Sequence, residues 1–128
     1  METLAIEAVN LQKRYDRVTA VAALDLSVWR GEIFGLVGPD GAGKTTTIQM
    51  LCTLILPSGG EARVLGMDTV KQAENIKPKI GYMSERFNLY PTLTVDENVD
   101  FFSRLRGVPP EKPRCRPQAR RLRRAARF

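Results

Sequence analysis

The stretch GPDGAGKT at residues 38–45 constrains this chain more than any other part of it. It fits the pattern G-x-x-x-x-G-K-S/T, known as Walker A. The run IFGLV at residues 33–37 comes just before it and reads as a short, buried parallel strand. The run TTIQMLC at residues 46–52 follows and reads as a helix with Ile48, Leu51 and Cys52 on one face. Strand, glycine loop and helix together are the context in which this pattern holds phosphate. Glycines let the backbone curl so that successive N–H groups point inward, and the helix N-terminus adds partial positive charge. Lys44 is expected to reach the β- and γ-phosphates, and the Thr45 hydroxyl to ligate Mg²⁺.

Composition narrows what surrounds this loop. The chain has 128 residues, enough for one domain, and 43% of them are hydrophobic. No apolar run approaches the roughly 18–20 residues that span a membrane, and Met1-Glu2-Thr3 does not open a signal peptide. The two cysteines lie far apart, Cys52 on the helix after the loop and Cys115 in an arginine tract. A structural disulfide is not expected, and a reduced, cytosolic setting fits. Histidine is absent, which excludes histidine bases and histidine metal sites. The net charge of +6 is unevenly placed. Residues 1–110 hold 12 basic and 13 acidic residues, whereas residues 111–128 hold eight basic and one acidic. The body is therefore not a basic nucleic-acid domain.

Residues 4–9 alternate weakly and read as a strand that continues through Leu11 toward Tyr15, with a hairpin turn at Tyr15-Asp16-Arg17. Residues 22–28 place Leu24, Leu26 and Val28 on one face and Asp25 and Ser27 on the other, a half-buried strand. Arg30-Gly31-Glu32 turns the chain into residues 33–37. An antiparallel section thus precedes the parallel core. Leu56-Pro57-Ser58-Gly59-Gly60 is a breaker cluster, residues 61–65 a short strand, and Gly66-Met67-Asp68 a turn. Residues 69–77 read as a short helix ending before Pro78, residues 80–83 as a short strand, and residues 84–91 as a polar and aromatic loop. Thr94 and Glu97 form a capping box. Val95, Val99, Phe102 and Leu105 then recur at helical spacing, so residues 95–106 form an amphipathic helix that Gly107 ends.

With the glycine loop, residues 24–66 and residues 80–108 (IGYMSERFNLYPTLTVDENVDFFSRLRGV) give the chain a specific likeness. It resembles the ATP-binding subunit of an ABC transporter of the bacterial multidrug-export type, over about residues 3–110. The second stretch sets it apart from a small P-loop phosphotransferase. The resemblance implies an α/β fold, a P-loop NTPase core of the ABC ATPase type, truncated and preceded by the antiparallel β section. It implies ATP and Mg²⁺ as ligands, transmembrane permease subunits and a second ATP-binding subunit as partners, and a cytoplasmic place at the inner membrane through those partners. Tyr15 stands where the family stacks an aromatic on adenine. Gly38, Pro39, Asp40, Gly41, Ala42, Gly43, Lys44, Thr45 and Thr46 stand where it wraps the phosphates. Asp40 replaces the commonest residue, asparagine, and is expected to face solvent, since a carboxylate repels phosphate. Glu85 replaces the usual glutamine that contacts Mg²⁺ and the attacking water. It reads either as a tolerated variant or as a mark of relaxed constraint, and the second is favoured.

The resemblance also implies parts that this sequence does not show: a signature loop, a Walker B aspartate with its catalytic glutamate, and a switch histidine. The expected function is an ATP-binding component, with a non-catalytic remnant or regulator as the alternative. Residues 111–128, EKPRCRPQARRLRRAARF, follow no period, and the domain is expected to end at residue 110. The tail reads either as a phosphate-binding arm or, as favoured, as an out-of-frame, disordered continuation. Deleting residues 111–128 is expected to leave the circular dichroism and unfolding midpoint of residues 1–110 unchanged. Hydrogen-exchange protection of tail amides would contradict this.

Overall fold

A computed structural model describes residues 3–85 and 89–109. The arginine-rich tail, and with it Cys115, lies outside the described residues. The described chain forms two compact units that divide between Met83 and Ser84.

The first unit is built on a long hairpin. Strand β1 (Leu4–Tyr15) pairs antiparallel with β2 (Val18–Trp29), with Asp16 and Arg17 at the tip. Asp16 takes a φ of 43°, which a short polar side chain tolerates better than most. Strand β3 (Gly59–Val64) pairs with the other edge of β1, and β4 (Met67–Asp68) with β3, giving a fully antiparallel sheet in the order β2-β1-β3-β4. Both long strands change inward face midway. In β1, Ala8 and then Leu11 are buried, an odd spacing that a regular strand cannot give. The cause is a bulge at Asn10, whose φ is 48° and whose N–H donates to the Asp25 carboxylate at 2.7 Å. β2 makes a compensating shift between Leu24 and Val21.

The bulge also explains why the expected breaker at Gly59-Gly60 starts a strand instead. Gly60 adopts φ 74°, and a Cβ there would lie 2.0 Å from the Asn10 carbonyl oxygen. Only glycine lets β3 pass the bulge so closely. The following turn falls at Leu65-Gly66, one residue earlier than the sequence reading. Both residues have positive φ, the backbone of a two-residue hairpin turn. Leu65 accepts that conformation while packing on the core and donating its N–H to Ala5 O at 2.8 Å.

Helix α1 (Lys44–Leu51) opens two residues earlier than expected and buries Thr47, Met50 and Leu51. Its inward face is therefore not the expected one: Ile48 is exposed and Cys52 half-buried, its thiol pKa raised by that burial. The core gathers Ala8, Leu11, Val21, Met50, Leu51, Ala62, Val64 and Ile76. Ile76 comes from α2 (Ala73–Ile76), shorter than the expected helix and followed by a 3₁₀ turn over Lys77–Lys79 that includes Pro78.

Residues 33–37 and 80–83 form no strand. Ile33 is 100% exposed, Val37 97% and Met83 94%. A parallel strand is stable when neighbours pair with both its edges and helices cover both its faces. No described residues pair with these two runs, so Ile33, Val37 and Met83 stay in solvent, while Ile80 packs against the core.

The second unit centres on α3 (Val95–Leu105). Thr94 Oγ1 accepts from the Glu97 N–H, and the Glu97 carboxylate accepts from the Thr94 N–H at 2.7 Å and from its hydroxyl at 2.8 Å. Asn98, which the sequence reading passed over, is the buried residue of this helix. Its amide donates to the carbonyls of Tyr90, Leu93 and Thr94 and accepts from the Tyr90 N–H, pinning the preceding loop to the helix. Tyr90 stacks on Phe102, and Phe101 meets both rings edge-to-face. Of the expected apolar stripe, Val95, Val99 and Phe102 instead border an open groove, and Val95, Val99 and Leu105 are exposed.

The Thr94 N–H and hydroxyl hold the Glu97 carboxyl below the usual carboxylate range. The folded pKa is lower than the unfolded one, so the stability it contributes is present above the unfolded value. That stability is lost as pH falls through the folded value. Amide protection at the start of α3, relative to the intrinsic exchange rate at each pH, is expected to fall on acidification across this window. Thr94→Ala removes the hydroxyl but keeps the backbone N–H, so it is expected to weaken that pH dependence, and Glu97→Gln to remove it; a Glu97→Gln profile identical to that of the parent chain would contradict this.

Candidate functional site

Residues 38–45 carry the chain from the unpaired run into α1. Gly41 and Gly43 have φ of 81° and 86°, left-handed conformations that coil the backbone on itself, and the Ala42 N–H closes a turn onto Pro39 O at 3.3 Å. The loop rests on the hairpin. A Cβ on Gly43 would lie 2.3 Å from the Ala20 carbonyl oxygen and 3.0 Å from Val21 Cγ2 of β2. Sequence reasoning saw these glycines as a flexible cradle but not this seat, because nothing local marks Ala20 as a neighbour.

Gly43 is also the N-cap of α1, and no side chain caps the helix. The first intrahelical bond runs from Thr47 N to Gly43 O at 2.8 Å, so the N–H groups of Lys44, Thr45 and Thr46 lack helical acceptors. No acidic residue occupies the first turn. The partial positive charge of the terminus therefore stands uncompensated. Lys44 adds a full charge to it. Its Nζ donates to Gly38 O at 2.7 Å and Pro39 O at 2.6 Å, which holds the ammonium across the loop.

The remaining site candidates lie on different parts of the chain. Thr45 is exposed at the helix start and Thr46 half-buried beside it, while Asp40 is exposed at the loop tip. Tyr15 ends β1 opposite Val18, so the hairpin that seats Gly43 also carries this ring, 45% exposed. Glu85 is exposed and belongs to the second unit. Chemically, coiled N–H groups, an uncapped helix end and an ammonium make an anion site suited to a polyphosphate. The Thr45 hydroxyl is a hard oxygen donor of the kind Mg²⁺ takes.

The ABC transporter family profile matches residues 21–127. The chain belongs to the ABC transporter family. It is 46% identical over 103 residues to the Escherichia coli protein named "Probable multidrug ABC transporter ATP-binding protein YbhF", covering 80% of this chain and 18% of that one. It is 42% identical over 105 residues to the daunorubicin/doxorubicin resistance ATP-binding protein DrrA of Streptomyces peucetius, covering 82% and 32%. Among solved structures, the ATP-binding subunit of an ABC transporter superposes with a TM-score of 0.77 at 29% identity, over 95% of this chain and 52% of that one. The dimeric cassette MJ0796 bound to ADP and Pi superposes with a TM-score of 0.69 at 28% identity, over 79% and 47%. This ABC transporter chain thus spans a fifth to a third of the curated relatives it matches, and about half of the solved cassettes. Its fold is the α/β P-loop NTPase fold of those cassettes, represented here by the antiparallel section and the glycine loop with its helix.

The Gly43 seat makes a direct expectation. Gly43→Ala should destabilise the first unit by roughly 1–3 kcal/mol, through the forbidden φ and the clash with β2. Gly41→Ala, with no atom within 4 Å of its Cβ, should cost less because only the φ opposes it. Urea unfolding of both variants checks the order; equal costs would mean that the loop does not rest on β2.

Proposed function

We propose that this chain is an ATP-binding component of a drug-export ABC transporter and that residues 38–46 hold the phosphates of Mg²⁺-ATP. The observation that carries this reading is the Lys44 ammonium, held at the mouth of a coiled loop where an uncapped helix begins. Its two carbonyl acceptors are neutral. A phosphate oxygen is charged and makes a stronger acceptor. Binding exchanges the Gly38 and Pro39 carbonyls for β- and γ-phosphate oxygens, while the N–H groups of the loop and of the first turn of α1 close on the same anion. Thr45 supplies an oxygen for Mg²⁺, which when bound screens the phosphate charge. Glu85, an exposed hard oxygen donor in the second unit, is kept as a separate metal-ligand candidate. Tyr15 offers its ring to adenine.

The export role is supported by the names of the relatives, which describe multidrug and antibiotic-resistance ATP-binding proteins. The MJ0796 cassette is dimeric with ADP and Pi, which supports pairing with a second ATP-binding subunit. No described helix is long and apolar enough to cross a membrane. Attachment to the cytoplasmic membrane face is therefore assigned to permease partners. Hydrolysis and its coupling to export are assigned to the assembled transporter, and nucleotide binding without turnover to this chain alone.

Lys44→Ala removes charge-assisted contacts worth about 1.5–3 kcal/mol. It is expected to weaken binding of a non-hydrolysable ATP analogue with Mg²⁺ by roughly tenfold or more. Titration of both proteins by calorimetry checks this. Superimposable curves would remove the loop as the nucleotide site.

A further inference from the structure

Tyr15 does not present its ring alone. Lys13 lies two residues earlier on β1, a spacing that places the two side chains on one face of the strand. Its ammonium stands 4.9 Å from the Tyr15 ring centroid, within cation–π range. It also donates to the Leu56 carbonyl at 2.7 Å. That carbonyl belongs to a segment which is itself fastened to β1: Ser58 N donates to Gln12 O at 2.8 Å, and Arg14 N to Ser58 Oγ at 3.1 Å. No described carboxylate forms an ion pair with Lys13. Its positive charge is thus anchored at one end by a carbonyl and shared at the other with a half-exposed aromatic ring.

A fixed cation on one face of a tyrosine has three consequences. It blocks that face, so a flat ligand must use the other. It restrains the ring, so less rotamer freedom is lost when a ligand stacks. It draws π-density toward itself, which makes the opposite face a better partner for an electron-rich heteroaromatic base. We propose that Lys13 is a positioning residue for the nucleotide base, holding the Tyr15 ring and polarising it for stacking. This rests on the reading of Tyr15 as the adenine platform. Lys13 acts through Tyr15, on the base and not on the phosphates.

The experiment compares Mg²⁺-ATP with Mg²⁺-tripolyphosphate, which carries the phosphates without a base, by calorimetric titration of the full chain. Lys13→Met is expected to weaken ATP binding about threefold to tenfold and to leave tripolyphosphate binding unchanged. Lys13→Gln, which keeps a donor for Leu56 O but loses the charge, should behave as Lys13→Met does and serves in its place if that variant fails to fold. Lys13→Arg should restore ATP binding, since a guanidinium also stacks on an aromatic face. In a Tyr15→Leu background, Lys13→Met should cause no further loss of ATP affinity. Equal weakening of ATP and tripolyphosphate, or full ATP affinity in Lys13→Gln, would overturn the proposal while leaving Tyr15 as the platform. Unchanged ATP affinity in Tyr15→Leu would instead overturn the platform reading, and the proposal with it.

Discussion

Gly43 lies so close to β2 that any side chain there would strike the Ala20 carbonyl. Much of the first unit depends on that approach. It fixes the end of the glycine loop against the hairpin, and so fixes where α1 begins and where its uncapped N–H groups point. The helix in turn delivers Thr47, Met50 and Leu51 to the core face of the sheet. The same hairpin holds Tyr15 at its tip and Lys13 beside it. One rigid antiparallel element therefore sets both the phosphate end and the base end of the proposed nucleotide site. This is a sound division of labour, since a loop has little rigidity of its own and borrows it from a bonded ladder.

A second close approach keeps the ladder itself in order. The Asn10 bulge shifts the inward face of β1 by one residue, and Gly60 allows β3 to pass it. Without the bulge, Leu11 would point to the opposite face from Ala8 and leave the core. Glycines at residues 43 and 60 thus act alike: each marks a place where two backbones meet with no room for a Cβ.

The apolar runs at residues 33–37 and 80–83 show the limit of local pattern. Their composition is that of buried parallel strands, yet no described strand pairs with them: Ile80 packs on the core, while Ile33, Val37 and Met83 stay exposed. Helix α3 shows a similar limit. Its caps form as the local sequence dictates, but its apolar stripe lines an open groove and the polar Asn98 is the residue that becomes buried. Asn98 could not be singled out beforehand, since its value lies in three carbonyls and an N–H that the preceding loop brings to it.

The sequence by itself determined whatever depends on short-range chemistry. The glycine loop at residues 38–45, the hairpin turn read at Tyr15-Asp16-Arg17, the Thr94–Glu97 capping box and the glycine stop at Gly107 each rest on backbone preferences and side chains a few residues apart. The family likeness was legible for the same reason, as it is carried by contiguous motifs. Tertiary structure alone decided the rest. It chose Thr47 and Met50 over Ile48 for the buried face of α1, turned the expected breaker at Gly59-Gly60 into a strand start, seated Gly43 on Ala20, and tethered Lys13 between Leu56 and the Tyr15 ring. Each of these is a meeting of residues distant in the chain, or a burial that such a meeting creates, and no local propensity encodes which surface will arrive.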